Sequence, residues 1–143
     1  MKLFTKQERS TFSYWFAHWC AFQMTALILH RWKLKYLFHD FEKPWLKLFL
    51  PYKTIQKWHR THNKHHIEYG EKHGYDKVDW EAMLIDWECS HYTKENCPRN
   101  AYDEAYFYLW GLDGHKELIN VFNKYVWPKL KELGLKRNVI VNY

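Results

Sequence analysis

Glycine and proline are scarce, five and four in 143 residues. A sandwich of many short strands, or a disordered tail, needs more turn-forming residues than that. Cysteine is rarer still: Cys20, Cys89 and Cys97 are odd in number and show no Cys-x-x-Cys spacing. Disulfide frameworks and zinc-finger chemistry are therefore not expected, and a reducing, cytoplasmic setting is. No Gly-rich phosphate loop, nucleophile elbow or dinucleotide fingerprint is present, which removes several enzyme classes. Met1 to Lys6 runs directly into Gln7-Glu8-Arg9, so no signal peptide is expected. Acidic residues, lysine and arginine are all missing from Thr11 to His30, a length close to a membrane span. Ser13, His18, Gln23 and Thr25 suit lipid poorly. The stretch reads as a buried aromatic helix, and no membrane partner is expected.

What is abundant is core material. Apolar residues make up 47% and aromatics 20%, with nine Trp, enough for one domain spanning residues 1–143. The formal charge of +6 and a pI near 9.1 favour an anionic partner such as a nucleotide, another phosphate ester or a nucleic acid. Apolar spacing is helical nearly throughout, so the fold class is all-α. Thr5-Lys6-Gln7-Glu8 has capping-box form and starts a first helix that should reach about Arg31. A helix is expected from Tyr52 to about Tyr69, then a loop over Gly70 to Asp76. Asp79 should cap a helix from Trp80 to Glu88. After a break at Asn96 to Asn100 come a helix from Ala101 to Leu109 and a turn at Gly111 to Gly114. A last helix, His115 to Leu133, should kink at Pro128, ahead of an extended tail from Arg137 to Tyr143. The polar stretch Ser90 to Tyr102 would suit a lid.

Metal-ligand residues follow one order along the chain: His18, His39-Asp40, His62 with His65-His66, and Asp86. Four of the ten histidines fall between His59 and His66. Nitrogen and oxygen donors are what a hydrolytic divalent-metal site needs, because the metal must hold and acidify a water. At about 100° per residue, His62 and His66 share a helical face, with His59 on the same stripe. His65 lies about 100° from His66, so the adjacent pair could serve two metals, or one metal and a substrate. Neighbours on a helix diverge, so His39 and Asp40 could both reach one site only with two metals or a kink.

That order resembles the HD superfamily of metal-dependent phosphohydrolases, whose signature is a His, a His-Asp pair and a late Asp on a helical bundle. More closely, the chain is similar to a small, poorly characterised family of bacterial and phage proteins. That family reads His-Asp-x-x-Lys, Asn-x-His-His-x-Glu-Tyr and Glu-x-x-x-x-Asp-Trp, here His39 to Lys43, Asn63 to Tyr69 and Glu81 to Trp87. The resemblance spans roughly residues 14 to 110. It departs at Phe41-Glu42 and at Lys64, neither of which needs to be a ligand.

The resemblance implies an HD-like bundle in which His18, His39, Asp40 and Asp86 hold one divalent metal. Asp40 could bridge to a second, bound by His62 with His65 or His66. The ions could be Mn, Fe, Mg, Co or Zn. A metal-bound hydroxide would attack the phosphate of a nucleotide or other small phosphate ester. Lys43 would neutralise a phosphate oxygen, and Glu68 would orient a ligand histidine. Arg60, Lys64, Lys77 and Arg99 are candidate phosphate contacts by charge, and Trp80, Trp87 and Tyr69 could stack on a base. Two other readings are compatible. Extra histidines would also suit a di-iron oxygenase of the same superfamily. A basic helical module that binds nucleic acid or a partner protein would need no metal. An aromatic-rich surface could support a dimer.

Overall fold

The computed structural model of the chain describes residues 12–93 and 99–138. The expected capping box at Thr5 to Glu8, Cys97, most of the expected tail and the centre of the Ser90 to Tyr102 stretch lie outside them. The fold is all-α, with no strand among the described residues.

Helix α1 (Phe12–Ile28) is apolar on every side. It buries Tyr14, His18, Phe22 and Ala26 and leaves Phe16, Met24, Leu27 and Ile28 exposed. Its end is a Schellman motif. His30 takes a left-handed φ of 57°, its amide bonds Leu27 O at 3.0 Å, and Arg31 N bonds Ala26 O at 2.8 Å. A histidine here does what glycine usually does. No described helix is long and apolar enough to cross a membrane.

A 3₁₀ turn, Leu34–Phe38, then lies along α1. Three side chains spaced one turn apart on α1 donate to its backbone. Trp15 Nε1 reaches Asp40 O at 2.7 Å, Trp19 Nε1 reaches Leu37 O at 2.9 Å, and Gln23 Nε2 reaches Tyr36 O at 2.5 Å. Irregular backbone has carbonyls that must find donors; here one helix face supplies them, and the turn carrying His39 and Asp40 is fixed to it.

The short helix α2 (Glu42–Leu46) leads to α3 (Tyr52–His62) and α4 (Ile67–His73). The single helix expected from Tyr52 to Tyr69 is thus broken. Asn63 and His66 are both extended, at φ −103° and −120°. Asn63 N still bonds His59 O, while its side chain turns to Glu42 Oε1 at 2.9 Å. An asparagine offering the backbone a side-chain alternative ends the helix there. The loop expected from Gly70 is corrected too: Gly70 is a buried residue within α4. A Cβ there would sit 2.5 Å from Tyr75 Cδ1 and 2.7 Å from Val78 Cγ2, so close approach, not a turn, explains this glycine. Gly74, at φ 105°, ends α4.

Helix α5 (Trp80–Thr93) starts at Asp79, whose Oδ1 accepts from Ala82 N at 3.1 Å, and runs beyond the expected Glu88. It is packed from both sides, with Glu81, Asp86 and Glu88 drawn in among its apolar residues. Ala82, Ile85 and Cys89 pack with Phe22, Ala26 and Tyr36 from α1 and its turn. Met83 and Leu84 join the larger core. That core includes α6 (Ala101–Trp110), which Asn100 and Asp103 open with a reciprocal capping box. It also includes a C-terminal run of α7 (Ile119–Val121), a π-helical turn at Phe122–Val126 and α8 (Trp127–Glu132). Pro128 sits in the first turn of α8, and the expected kink takes the form of the widened turn before it.

Gly70→Ala tests the packing of α4. At an exposed helix site this change stabilises by about 1 kcal/mol. Here it should destabilise by about 1–3 kcal/mol through overpacking, read as a lower urea midpoint at unchanged m-value. A rise in the midpoint would contradict the close approach.

A candidate metal centre around Asp40

The His39-Asp40 turn lies between α1, α3 and α5. Asp40 has φ 53°, a left-handed conformation that costs a non-glycine residue on the order of 1–3 kcal/mol and is tolerated best by Asp and Asn. This kink is what lets two consecutive side chains face the same point. His39 is held by its ring, stacked on Phe22 at 3.7 Å between centroids.

On one side of Asp40 stand His18, His39 and Asp86. Asp86 Oδ1 is 2.8 Å from His18 Nε2 and 3.2 Å from His39 Nε2, and the two imidazole nitrogens are 3.4 Å apart. Asp40 Oδ2 lies 3.8 and 3.6 Å from the same nitrogens. On the other side, Asp40 Oδ1 lies 2.9 Å from His59 Nε2 and 3.2 Å from His65 Nε2. His66 completes that group. Within each set, His18-His39-Asp40-Asp86 and His59-His65-His66, one donor atom from every residue lies within 4.8 Å of the rest. These buried His and Asp groups could hold a metal ion.

The donors fit such an ion chemically. Asp40 Oδ1 and His66 Nε2 are buried and have no hydrogen-bond partner: Oδ1 has imidazole nitrogens near it, but no N–H is directed onto it. Buried polar atoms left this way are costly, and a cation that both sets can ligate removes the cost. Sulfur is absent from both sets, and imidazole with carboxylate is the donor mix of zinc, iron and manganese rather than of copper(I) or an iron–sulfur cluster.

The two carboxylates, Lys43 and His66 have electrostatics that fit this. Burial alone would raise the Asp40 carboxyl; His39 and Lys43, with His59 and His65 beside it, overcome that and hold it well below the usual carboxylate range. Burial opposes ionisation of Asp86 too, and His18 and His39 hold it well below that range. Lys43 Nζ sits 3.0 Å from Asp40 Oδ2; burial disfavours its charge, and Asp40 more than restores it, so its pKa is raised. Burial together with His65 pushes His66 down to about 2, so its imidazole is neutral, the form that ligates.

Six of the seven expected ligands meet here, namely His18, His39, Asp40, His65, His66 and Asp86. His62 does not. It is exposed, its Nδ1 is bonded to Trp58 O at 2.8 Å, and its ring stacks on Trp58 at 4.6 Å. With the helix broken at Asn63, the face once shared by His62 and His66 no longer exists, and buried His59 takes the place. The expected role of Glu68 also moves. Glu68 has no hydrogen bond to a site histidine among the described residues, whereas Glu42 accepts from His59 Nδ1 in a short contact and from Asn63. A carboxylate on Nδ1 leaves Nε2 aimed at Asp40. Position 42 therefore supports the site.

Other expected contacts fall elsewhere. Trp80 is buried in the core, with Trp87 and Tyr69 packed against it. Arg99 lies over Phe107 and pairs with Glu104. Glu81 is buried beside Lys33 at 3.3 Å, Arg31 at 3.8 Å and Lys129 at 3.9 Å, so it anchors the C-terminal helix to the end of α1. Lys64 lines a polar cleft that reaches His39, Asp40 and His65. A second, mainly apolar pocket of about 300 Å³ reaches His18, Asp40 and Lys43. No family model matches the chain, and neither a curated protein nor a solved structure is significantly similar to it.

The neutral His66 has a consequence for stability in chelator-treated protein. Its folded pKa lies below the unfolded value of about 6.5, so acidification below that value protonates the unfolded chain first. Stability should fall with pH by up to about 1.4 kcal/mol per unit from this group. Asp40 and Asp86, whose pKa values are depressed, contribute stability that is lost only as pH falls below about 4. Urea melts at pH 7 and pH 5 check this: His66→Gln should be less pH-sensitive than the parent. Equal sensitivity would show that His66 is not buried neutral.

Proposed function

We propose that the chain is a metal-dependent phosphohydrolase acting on a small phosphate ester, with two divalent ions on either side of Asp40. The observation that carries this reading is the Asp40 carboxylate, whose two oxygens face two separate donor sets. One set would be His18, His39, Asp86 and Asp40 Oδ2, the other His59, His65, His66 and Asp40 Oδ1. The order of His18, His39-Asp40 and Asp86 along the chain, which resembles the HD superfamily, supports the same reading. So many imidazoles favour Mn, Fe, Co or Zn over Mg, which prefers oxygen ligands.

Bound divalent ions supply Lewis-acid polarisation of a phosphoryl oxygen and lower the pKa of a coordinated water. The residues supply the rest. Lys43, held on Asp40 Oδ2 and facing the apolar pocket, can shift onto a phosphate oxygen and neutralise it. Glu42 and Asn63 hold the His59 ring so that Nε2 faces inward. Phe22 does the same for His39. In the overall reaction a P–O bond forms to the oxygen of water and the ester P–O bond breaks. One of the water's protons ends on the leaving alcohol and the other on the phosphate, so nothing is oxidised or reduced.

A di-iron oxygenase is the second reading, favoured by the nitrogen-rich donors around a shared carboxylate. Oxygen uptake by the iron-loaded protein separates it from the hydrolase, which releases phosphate with manganese and consumes no oxygen.

Elemental analysis of protein purified without chelator tests the ligand assignment. The parent should carry about two ions per chain, and His59→Ala should lose about one of them. His62→Ala should keep both. Glu42→Gln should weaken binding of the second ion about 10–100-fold. If His62→Ala loses metal and His59→Ala does not, the assignment is wrong.

A further inference from the structure

Two cavities among the described residues reach Asp40 and differ in chemistry, and the difference bears on the substrate. The polar cleft presents Lys35, Lys64, Asn63 and His62. The other pocket has an ionic end, made by His18, Asp40 and Lys43, and walls from Trp15, Pro44, Leu48 and Ile55. Among the described residues no Asn, Gln, Ser, Thr or Arg lines it; beyond the ionic end its polar groups are Lys47 and the hydroxyls of Tyr14 and Tyr52, and the Trp15 N–H is already committed to Asp40 O. Sugar hydroxyls and base edges are recognised by groups of that kind, because a buried polar group without a partner is penalised. A nucleoside placed here would lose its hydrogen bonds to water and gain few in return.

The surroundings of the pocket have the same character. Phe12 and Leu48, which line the pocket, and Trp45 beside Pro44 in the chain are 62%, 71% and 62% exposed. Between Arg31 and Arg60 the only acidic residues are Asp40 and Glu42, and both are engaged at the histidines. Arg31, Lys33 and Lys35 of this segment pair with Glu132, Glu81 and Asp79, so the positive charge at the pocket is that of Lys43 and Lys47. Apolar walls with two lysines at an ionic end complement a molecule with one anionic group and an apolar body.

We propose that this pocket binds an anionic amphiphile, a phosphate monoester of an alkyl or aryl alcohol. Its phosphate lies at the Asp40–Lys43 end and its apolar body between Trp15, Leu48 and Ile55. The identity of the head group rests on the phosphohydrolase reading; the preference for an apolar body does not.

Alkylphosphonates, which cannot be hydrolysed at the P–C bond by this chemistry, test it on the full-length manganese-loaded protein by calorimetric titration. Affinity should rise about fourfold per methylene from methyl- to octylphosphonate, and octylphosphonate should bind more tightly than a nucleoside monophosphate. Leu48→Glu, at an exposed position where folding is not at risk, should flatten the series. Hexadecylphosphonate in phosphatidylcholine vesicles serves as a second arm. Binding of octylphosphonate below its micelle concentration identifies a soluble ester as the ligand; binding only in vesicles identifies one drawn from a bilayer. Either carries the inference. A flat series, no phosphonate binding, or preference for the nucleotide overturns it. Chain-length-dependent binding without phosphate release from octyl phosphate keeps the pocket and overturns the hydrolase. Flat binding with phosphate release at one kcat/KM for all chain lengths does the reverse.

Discussion

A buried carboxylate set between two groups of imidazoles is the constraint on which the rest of this structure depends. Asp40 is 4% exposed and occupies a left-handed backbone conformation. Neither condition is favourable by itself: burial penalises the charge, and the backbone is strained. Both are tolerated because the surroundings over-determine the position. Trp15 bonds its carbonyl, Lys43 pairs with one oxygen, and histidines from three segments close around both. Strain and buried charge kept together in this way characterise functional sites more than structural ones.

Two elements make the arrangement possible. Helix α5, packed from both sides, forms the common wall of both apolar clusters, and so Asp86 is carried into the interior. Helix α1 contributes a ligand, His18, and the row Trp15, Trp19 and Gln23 that satisfies the carbonyls of the next turn. A stretch without a single acidic residue, lysine or arginine thus acts as scaffold for the most polar part of the chain. Its aromatic N–H groups are spent on backbone rather than on solvent, so Trp15 and Trp19 serve packing and positioning together.

The donor residues were legible in the sequence because ligand chemistry restricts residue type: His18, His39-Asp40, His65-His66 and Asp86 meet as their order suggests. Their partners were less legible. Read as one helix, Tyr52 to Tyr69 puts His59, His62 and His66 on one stripe and cannot choose among them, and a 100° step per residue carries no information once Asn63 breaks the period. Glu68 takes its expected role from the resemblance to Asn-x-His-His-x-Glu-Tyr, whereas the carboxylate bonded to His59 comes from a different helix, which spacing cannot show. Gly70 looks like a loop residue by type, and only the packing of Tyr75 and Val78 against it gives the other meaning. Helix boundaries at Asp79 and Asn100 were easier, since a cap is a local interaction between residues three apart. Pro128 predicts a kink, but residue type does not show that it takes the form of a π-helical turn over Phe122–Val126.

The central claim is that Asp40 is shared between two metal ions. An anomalous-difference map from crystals of the manganese-loaded protein tests it most directly. The account predicts two peaks about 3.5–4 Å apart, one among His18, His39 and Asp86 and the other among His59, His65 and His66, with the Asp40 carboxylate between them. A single peak, no peak, or a second peak beside His62 would contradict it.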